Sequence, residues 1–364
     1  MIMLGSNNYL SLTNDQRVIE AGIDALQKFG TGVSGSRLLN GTTVLHEQLE
    51  KSLADFLGKK ACLVLSTGYS ANLGFLSAIA GRDDVIFCDR ENHASIYDGI
   101  KLGNAQIVRY YHNDMRDLEE KMIAAGDSGK LVVTDGVFSM SGDICKLPEI
   151  ITLAKKYHAR VMVDDAHGLG VLGKFGRGTG EFFGLENEVD VVMGTFSKSL
   201  GSVGGFLAAS SPEVIEYIKH TSRPFIFCAA LPPANIACAQ KALEIVQQEP
   251  WRHEKLLKLS AYMRKKLLDA NVPILNPTGI TPIVAVITGK KMRTLAICRW
   301  LFNNGVFVNP VLPPASPNDK CIIRLSLQTN CTEELVDVAI NTLFKAMDEI
   351  PDDESKVVQL LNLG

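Results

Sequence analysis

The stretch Gly194-Thr195-Phe196-Ser197-Lys198-Ser199-Leu200-Gly201-Ser202-Val203-Gly204-Gly205 decides how this chain is read. It follows Val189 to Met193, an apolar run that reads as a buried strand. Small hydroxyl and glycine residues surround Lys198, so the backbone can come close to a bulky ligand. A lysine amine held against a desolvated ligand can form a Schiff base with an aldehyde. Read alone, Lys198 is more simply a surface lysine in a glycine-rich turn. The rest of the chain has to decide between the two.

Outward from that turn, short apolar runs rich in Val and Ile recur: Ala61–Leu65, Val85–Cys88, Ile107–Tyr110, Leu131–Thr134 and Val161–Val163. Helical stretches, including Ala71–Ala80 and Leu147–Tyr157, separate most of them. Such alternation predicts an α/β fold whose central sheet is mainly parallel and flanked by helices. Ahead of it, Thr13 and Asn14 can cap a helix to Phe29, with Ile19, Ile23 and Leu26 on one face. Leu45, Leu49, Leu53 and Leu57 repeat at helical spacing up to Gly58. The pattern changes after Pro224. Helices are expected from Pro232-Pro233 to about Gln248 and from Arg252 to Ala270. A small α+β unit follows, with strands Ile283–Ile287, Val306–Asn309 and Ile322–Ser326 and helices Arg293–Phe302 and Glu333–Met347. The expected division is a short segment 1–30, a large ligand-binding domain 31–234 and a smaller C-terminal domain 235–364.

Composition narrows the function. The 364 residues are 46% hydrophobic and 21% charged, which is globular rather than disordered. A formal net charge of −3 supplies no field for nucleic acid or an anionic membrane. The eight cysteines are scattered and form no CxxC pair, which predicts reduced thiols and a cytoplasmic location. No apolar run approaches membrane-helix length and no signal peptide is evident, so at most peripheral membrane association is expected.

Ligands of parallel sheets gather at the carboxyl ends of the strands. After Leu65, Ser66-Thr67-Gly68-Tyr69-Ser70-Ala71-Asn72 opens a helix, and a Gly and hydroxyl turn there can hold phosphate on free N–H groups. It is also what an ordinary strand-to-helix turn looks like. After Val163 stands Asp164, whose carboxylate is costly at a buried strand end unless a cation answers it. A protonated pyridine nitrogen is such a cation; a loop carboxylate or a metal ligand is the alternative. Without ligand-spaced partners nearby no metal is expected. His93 can stack on a flat ring or simply cap the following helix. Ser139 can reach a ring oxygen. Arg324 can bind a carboxylate with both edges of its guanidinium, or be a surface arginine on an edge strand. Together, four strand ends carry the parts of one pyridoxal phosphate site: phosphate turn, stacking ring, pyridine carboxylate and Schiff-base lysine.

These motifs resemble the α-oxoamine synthases, fold-type I pyridoxal phosphate enzymes. The likeness runs from Gly5-Ser6-Asn7-Asn8-Tyr9-Leu10 through Gly35-Ser36-Arg37-Leu38-Leu39-Asn40-Gly41-Thr42, Val163-Asp164-Asp165-Ala166-His167-Gly168 and Thr195-Phe196-Ser197-Lys198 to Arg324. The resemblance implies condensation of an amino acid with an acyl-CoA or acyl-carrier thioester, releasing CoA and CO2 and leaving an aminoketone. It implies that Lys198 forms the Schiff base and then moves the α-proton. Asp164 pairs with the pyridine nitrogen, His93 stacks on the ring, and His167 and Ser139 hold the ring hydroxyl. Gly68, Tyr69 and Thr195 serve the cofactor and its phosphate, and Asn8 and Arg324 reach the substrate. Homodimers with interface active sites are implied as well.

Three stretches resemble the bacterial members that use L-serine and a long-chain, palmitoyl-like acyl-CoA and give 3-ketosphinganine. They are Gly194–Ser199 with Val203–Phe206, Ser222-Arg223-Pro224-Phe225-Ile226-Phe227, and Gly305–Val311 with Pro314-Ala315. Members that join glycine or alanine to acetyl-CoA or a pimeloyl thioester are the alternative. A non-catalytic subunit of a heterodimeric synthase is another, and Lys198 argues against it. The chain departs from the family at Phe227–Pro233, where Cys and Ala replace the usual Ser or Thr, and at Cys331, which replaces a histidine.

Overall fold

The computed structural model describes residues 1–316, 320–353 and 355–357. They form two compact units, each drawn from separated stretches of chain. The larger holds Ser11–Phe138 and Ile144–Pro250; the smaller holds Met1–Leu10, Ser139–Asp143 and Trp251–Gly364. The boundaries therefore differ from cuts after residues 30 and 234. Helices Gln16–Phe29 and Pro233–Gln248, which those cuts separate, pack on each other within the larger unit. Gly22 shows why: a Cβ there would stand 2.7 Å from Cys238 Sγ, so the two helices approach too closely to belong to different cores.

That close approach also overturns the expected inner face of the first helix. Val18, Gly22 and Ala25 are buried, while Ile19, Ile23 and Leu26 are 39–46% exposed. Small residues allow the tighter contact, and the bulkier stripe is left outward.

The larger unit is built on a seven-stranded sheet. In spatial order its strands are Ala61–Leu65, Gly205–Ala209, Val191–Thr195, Arg160–Asp164, Gly129–Asp135, Asp84–Asp89 and Gln106–Tyr110. The last five pair in parallel, and only Gly205–Ala209 runs antiparallel to its neighbours. Helices between the strands cover the sheet, so the inner strands are buried along almost their whole length. Three registers align residues at one end of the sheet. Asp135 stands beside Asp164, Thr195 beside Gly205, and Gly205 beside Leu65.

In the smaller unit, Cys321–Ser326 lies between Asn309–Val311 and Ile283–Gly289 in an antiparallel sheet. Helices Trp251–Asp269, Lys291–Asn303 and Glu333–Glu349 pack around it. The expected strand Val306–Asn309 is two short strands, Val306–Phe307 and Asn309–Val311. Val306–Phe307 turns aside to pair with Ile2–Met3. Among the described residues, no helix is long and apolar enough to cross a membrane.

Candidate active site

The carboxyl ends of the parallel strands bring most of the expected residues of the larger unit together. Arg160–Asp164 ends on a buried carboxylate that accepts a hydrogen bond from Asn72 Nδ2 at 2.8 Å and from Ala166 N at 3.1 Å. Its neighbour Asp165 turns to Thr179, accepting from the backbone N–H and the hydroxyl at 2.6 Å each. Burial pushes Asp165 up to about 6. Adjacent aspartates thus divide: Asp165 fastens a loop, and Asp164 is left for the site. His167 follows in the same turn and is buried.

Lys198 lies just beyond the strand Val191–Thr195, half-buried in a turn held by Phe196 N to Gly204 O at 2.9 Å and Gly201 N to Lys198 O at 3.1 Å. Gly204 sits at φ +132, and a Cβ there would come within 2.5 Å of the Phe196 ring, so this return needs glycine. The Lys198 charge acts on His93 and on Asp135, which places the three in one electrostatic neighbourhood with Asp164.

His93 opens the helix Ala94–Leu102, where its Nδ1 accepts from Ser95 N. The capping reading holds for this residue, and Asp164 and Lys198 act electrostatically on the same ring. Burial pushes His93 below the usual imidazole value; Asp164 opposes that and Lys198 reinforces it. The Tyr69 ring meets the His93 ring edge-on, with centroids 6.3 Å apart and planes at 79°. The Tyr69 hydroxyl donates to Asp98.

Thr67 caps the helix Gly68–Leu76, its hydroxyl accepting from Ser70 N at 2.9 Å. The turn is packed against neighbouring backbone. A Cβ on Gly68 would stand 2.9 Å from Thr195 Cβ, and one on Gly205 would stand 2.5 Å from Gly68 N and Cα. The Thr195 hydroxyl, bonded to Gly204 O at 3.0 Å and paired with Ser197 Oγ at 2.9 Å, lies beside these amides. A helix N-terminus flanked by hydroxyls suits a phosphate. A buried carboxylate, a flat neutral ring and a lysine at the carboxyl ends of strands of one sheet suit the rest of pyridoxal phosphate. Among the described residues, no three His, Cys, Asp or Glu side chains gather as metal ligands would.

Arg324, Ser139 and Asn8 belong to the smaller unit. Arg324 is no edge-strand surface residue: it is buried on the central strand of its sheet. Its guanidinium donates to Ser139 O at 2.5 Å, Ser326 Oγ at 2.6 Å and Asn7 Oδ1 at 3.1 Å. Asn8 N donates to Ser6 Oγ at 3.2 Å. Burial raises Tyr9, whose hydroxyl is 3.4 Å from Arg324. Of the two departures from the family pattern, Cys228 is exposed and Cys331 buried.

Two residues of this neighbourhood escaped the reading of the sequence. Asn72 is fully buried and holds Asp164. Asp135 is a second buried carboxylate, accepting from His93 N at 3.3 Å. Burial and the neighbouring Asp164 charge push it well above the carboxylate range. Asp135 ends an apolar strand just as Asp164 does, and that signal was available.

Known proteins point the same way. Residues 1–343 match the family described as aminotransferase class I and II. The chain is 48% identical to a serine palmitoyltransferase of Bacteroides ovatus over 96% of this chain and 89% of that protein. It is 42% identical to an 8-amino-7-oxononanoate synthase of Lysinibacillus sphaericus, over 96% and 89%. A serine palmitoyltransferase from S. paucimobilis, solved with a bound pyridoxal phosphate–myriocin aldimine, superposes with a TM-score of 0.93 at 38% identity, covering 96% of this chain and 88% of that one.

Proposed function

The chain belongs to the class I and II aminotransferase family of pyridoxal phosphate enzymes, and from that premise we propose that it condenses L-serine with a long-chain acyl-CoA. The products are CO2, free CoA and a 3-ketosphinganine-type aminoketone, as in an α-oxoamine synthase. Near full-length identity of 48% to a serine palmitoyltransferase supports this choice over the 8-amino-7-oxononanoate synthase reading, whose relative stands at 42%. The observation that carries the chemistry is the cluster of Asp164, His93 and Lys198 at adjoining ends of the sheet.

When bound, pyridoxal phosphate supplies an electron sink for negative charge at the substrate α-carbon. The chain's own groups do the rest. Asp164, kept in place by Asn72 and by the Ala166 amide, is the carboxylate that would hold a protonated pyridine nitrogen. His93, neutral through burial, offers a flat face without adding a competing positive charge. The Gly68 and Tyr69 amides and the Thr195 hydroxyl would bind the phosphate. His167 and Ser139 are the residues that would hold the ring hydroxyl. Asn8 and Arg324 orient the serine carboxylate, Arg324 as a fork already fixed by three acceptors. The Lys198 amine would anchor the cofactor and, once free of it, would carry the α-proton of serine. Acid–base help of that kind contributes on the order of 10²–10⁴-fold.

We place the working enzyme in the cytoplasm as a homodimer. A panel of serine, glycine and alanine against acyl-CoAs of increasing length, scored by thiol release, tests the substrate assignment. Serine with a long chain should lead; a preference for alanine with a pimeloyl thioester would transfer the assignment to the alternative.

A further inference from the structure

Asn72 and Ser95 are both fully buried polar residues. Asn72 Nδ2 lies 2.8 Å from Asp164 Oδ2 and 2.8 Å from Ser95 Oγ. Ser95 Oγ lies 2.7 Å from His93 Nδ1, and Ser95 N donates to the same nitrogen at 3.3 Å. Donor counting fixes every proton in this chain. The Asp164 carboxylate only accepts, so the amide must present its NH2 there, and the same nitrogen also faces Ser95. With both protons of Nδ2 given away, Ser95 Oγ is an acceptor toward Asn72. Its own proton is then directed at His93 Nδ1. The backbone N–H of Ser95 can only donate, so Nδ1 is an acceptor twice over. Asn72 Oδ1 is left buried without a hydrogen-bond partner, which a residue kept only for packing would not require.

We propose that Asn72 and Ser95 are positioning residues: they form a one-way hydrogen-bond relay that holds His93 as its Nε2–H tautomer and couples its ring to the carboxylate Asp164. His93 meets the cofactor with a ring that cannot flip without breaking the relay. Its remaining polar edge is a donor, Nε2–H. The charged groups around it are Asp164 from the strand Arg160–Asp164, Asp135 from Gly129–Asp135, Lys198 from beyond Val191–Thr195, and Asp98 on its own helix. Amid these charges, the Ser95 N–H and hydroxyl that face Nδ1 keep the ring neutral.

The relay rests on the proposed pyridoxal phosphate site for its purpose, and its first test does not. The first measurement is ring-nitrogen NMR of 15N-histidine-labelled cofactor-free protein, with His93→Gln used to assign the signal. Wild type should show an unprotonated Nδ1 and a protonated Nε2 for His93; a protonated Nδ1 overturns the proposal. Ser95→Ala should mix the tautomers and move the His93 titration to higher pH, and Ser95→Thr, which keeps the hydroxyl, should restore both. The second measurement is kcat/KM for serine against pH. Ser95→Ala should lower it roughly tenfold, one hydrogen bond's worth, and shift the acid limb to higher pH. A Ser95→Ala protein that loses thermal stability alone, with shifts and pH limb unchanged, makes Ser95 merely structural and refutes the relay. Wild-type protein that makes no aminoketone would sink the proposed reaction and leave the NMR result standing.

Discussion

Replacing Gly205 with alanine tests whether the helix N-terminus at Thr67–Gly68 is the phosphate cradle. The new Cβ would stand 2.5 Å from Gly68 N and Cα and 2.7 Å from the Thr67 carbonyl carbon. Carbon atoms rest roughly 3.5 Å apart, so backbone must retreat by about 1 Å. Gly205 pairs with both Leu65 and Thr195, which fixes it from two sides. The helix start is therefore the part that moves. Overpacking of this kind costs about 1–3 kcal/mol, which denaturant unfolding of the cofactor-free protein will read. The moved amides are those assigned to the phosphate. Losing one charge-assisted hydrogen bond costs about 1.5–3 kcal/mol, roughly 10–100-fold in Kd. Absorbance titration with pyridoxal phosphate measures that directly. Gly32→Ala is the control: nothing lies within 4 Å of its added Cβ, and stability should stay within about 0.5 kcal/mol. If Gly205→Ala binds pyridoxal phosphate as tightly as wild type, the phosphate is held elsewhere.

Three further outcomes are expected from the same structure. Lys198→Ala should leave no cofactor fixed to the protein after borohydride treatment, as read by intact mass; retained attachment would remove Lys198 from its role. Arg324→Lys loses the fork that meets Ser139 O, Ser326 Oγ and Asn7 Oδ1. It should raise KM for serine by roughly tenfold or more, with KM for the acyl-CoA little changed. Burial, aided by the nearby Arg37 charge, pushes His46 down from 6.5 to about 3. As pH falls from 6.5 to 3 the unfolded chain takes a proton that the folded one refuses. Stability therefore declines over that window, by up to about 1.4 kcal/mol per pH unit. His46→Gln keeps a capping-box partner for Thr43 and should flatten that decline in urea titrations run from pH 7 to 4.

The site was legible wherever a chemical group terminates an apolar run, because a parallel sheet puts such ends in one place. Asp164 ends such a run, and His93 and Lys198 follow one within a short turn. Asp135, at the end of Gly129–Asp135, carries the same signal. Asn72 could not be found by that route. It lies within a helix, and its link to Asp164 depends on how that helix is rotated against the sheet. The strand Gly205–Ala209 carries no Val or Ile to mark it; Gly205 serves the close approach to Gly68, while Leu207 and Ala209 join the hydrophobic core. The first helix misled for a related reason. Periodicity picked its bulkiest stripe, while contact with Cys238 selected its smallest. Domain limits were read as cuts in sequence, yet Met1–Leu10 and Ser139–Asp143 fold with the C-terminal stretch.

The central claim is a decarboxylative joining of serine to a long acyl chain, and one stoichiometry tests it most directly. Incubated with carboxyl-labelled L-serine and palmitoyl-CoA, the enzyme should release labelled CO2 and free CoA in a 1:1 ratio, with neither formed when the other substrate is omitted. Free CoA appearing without labelled CO2 would contradict it.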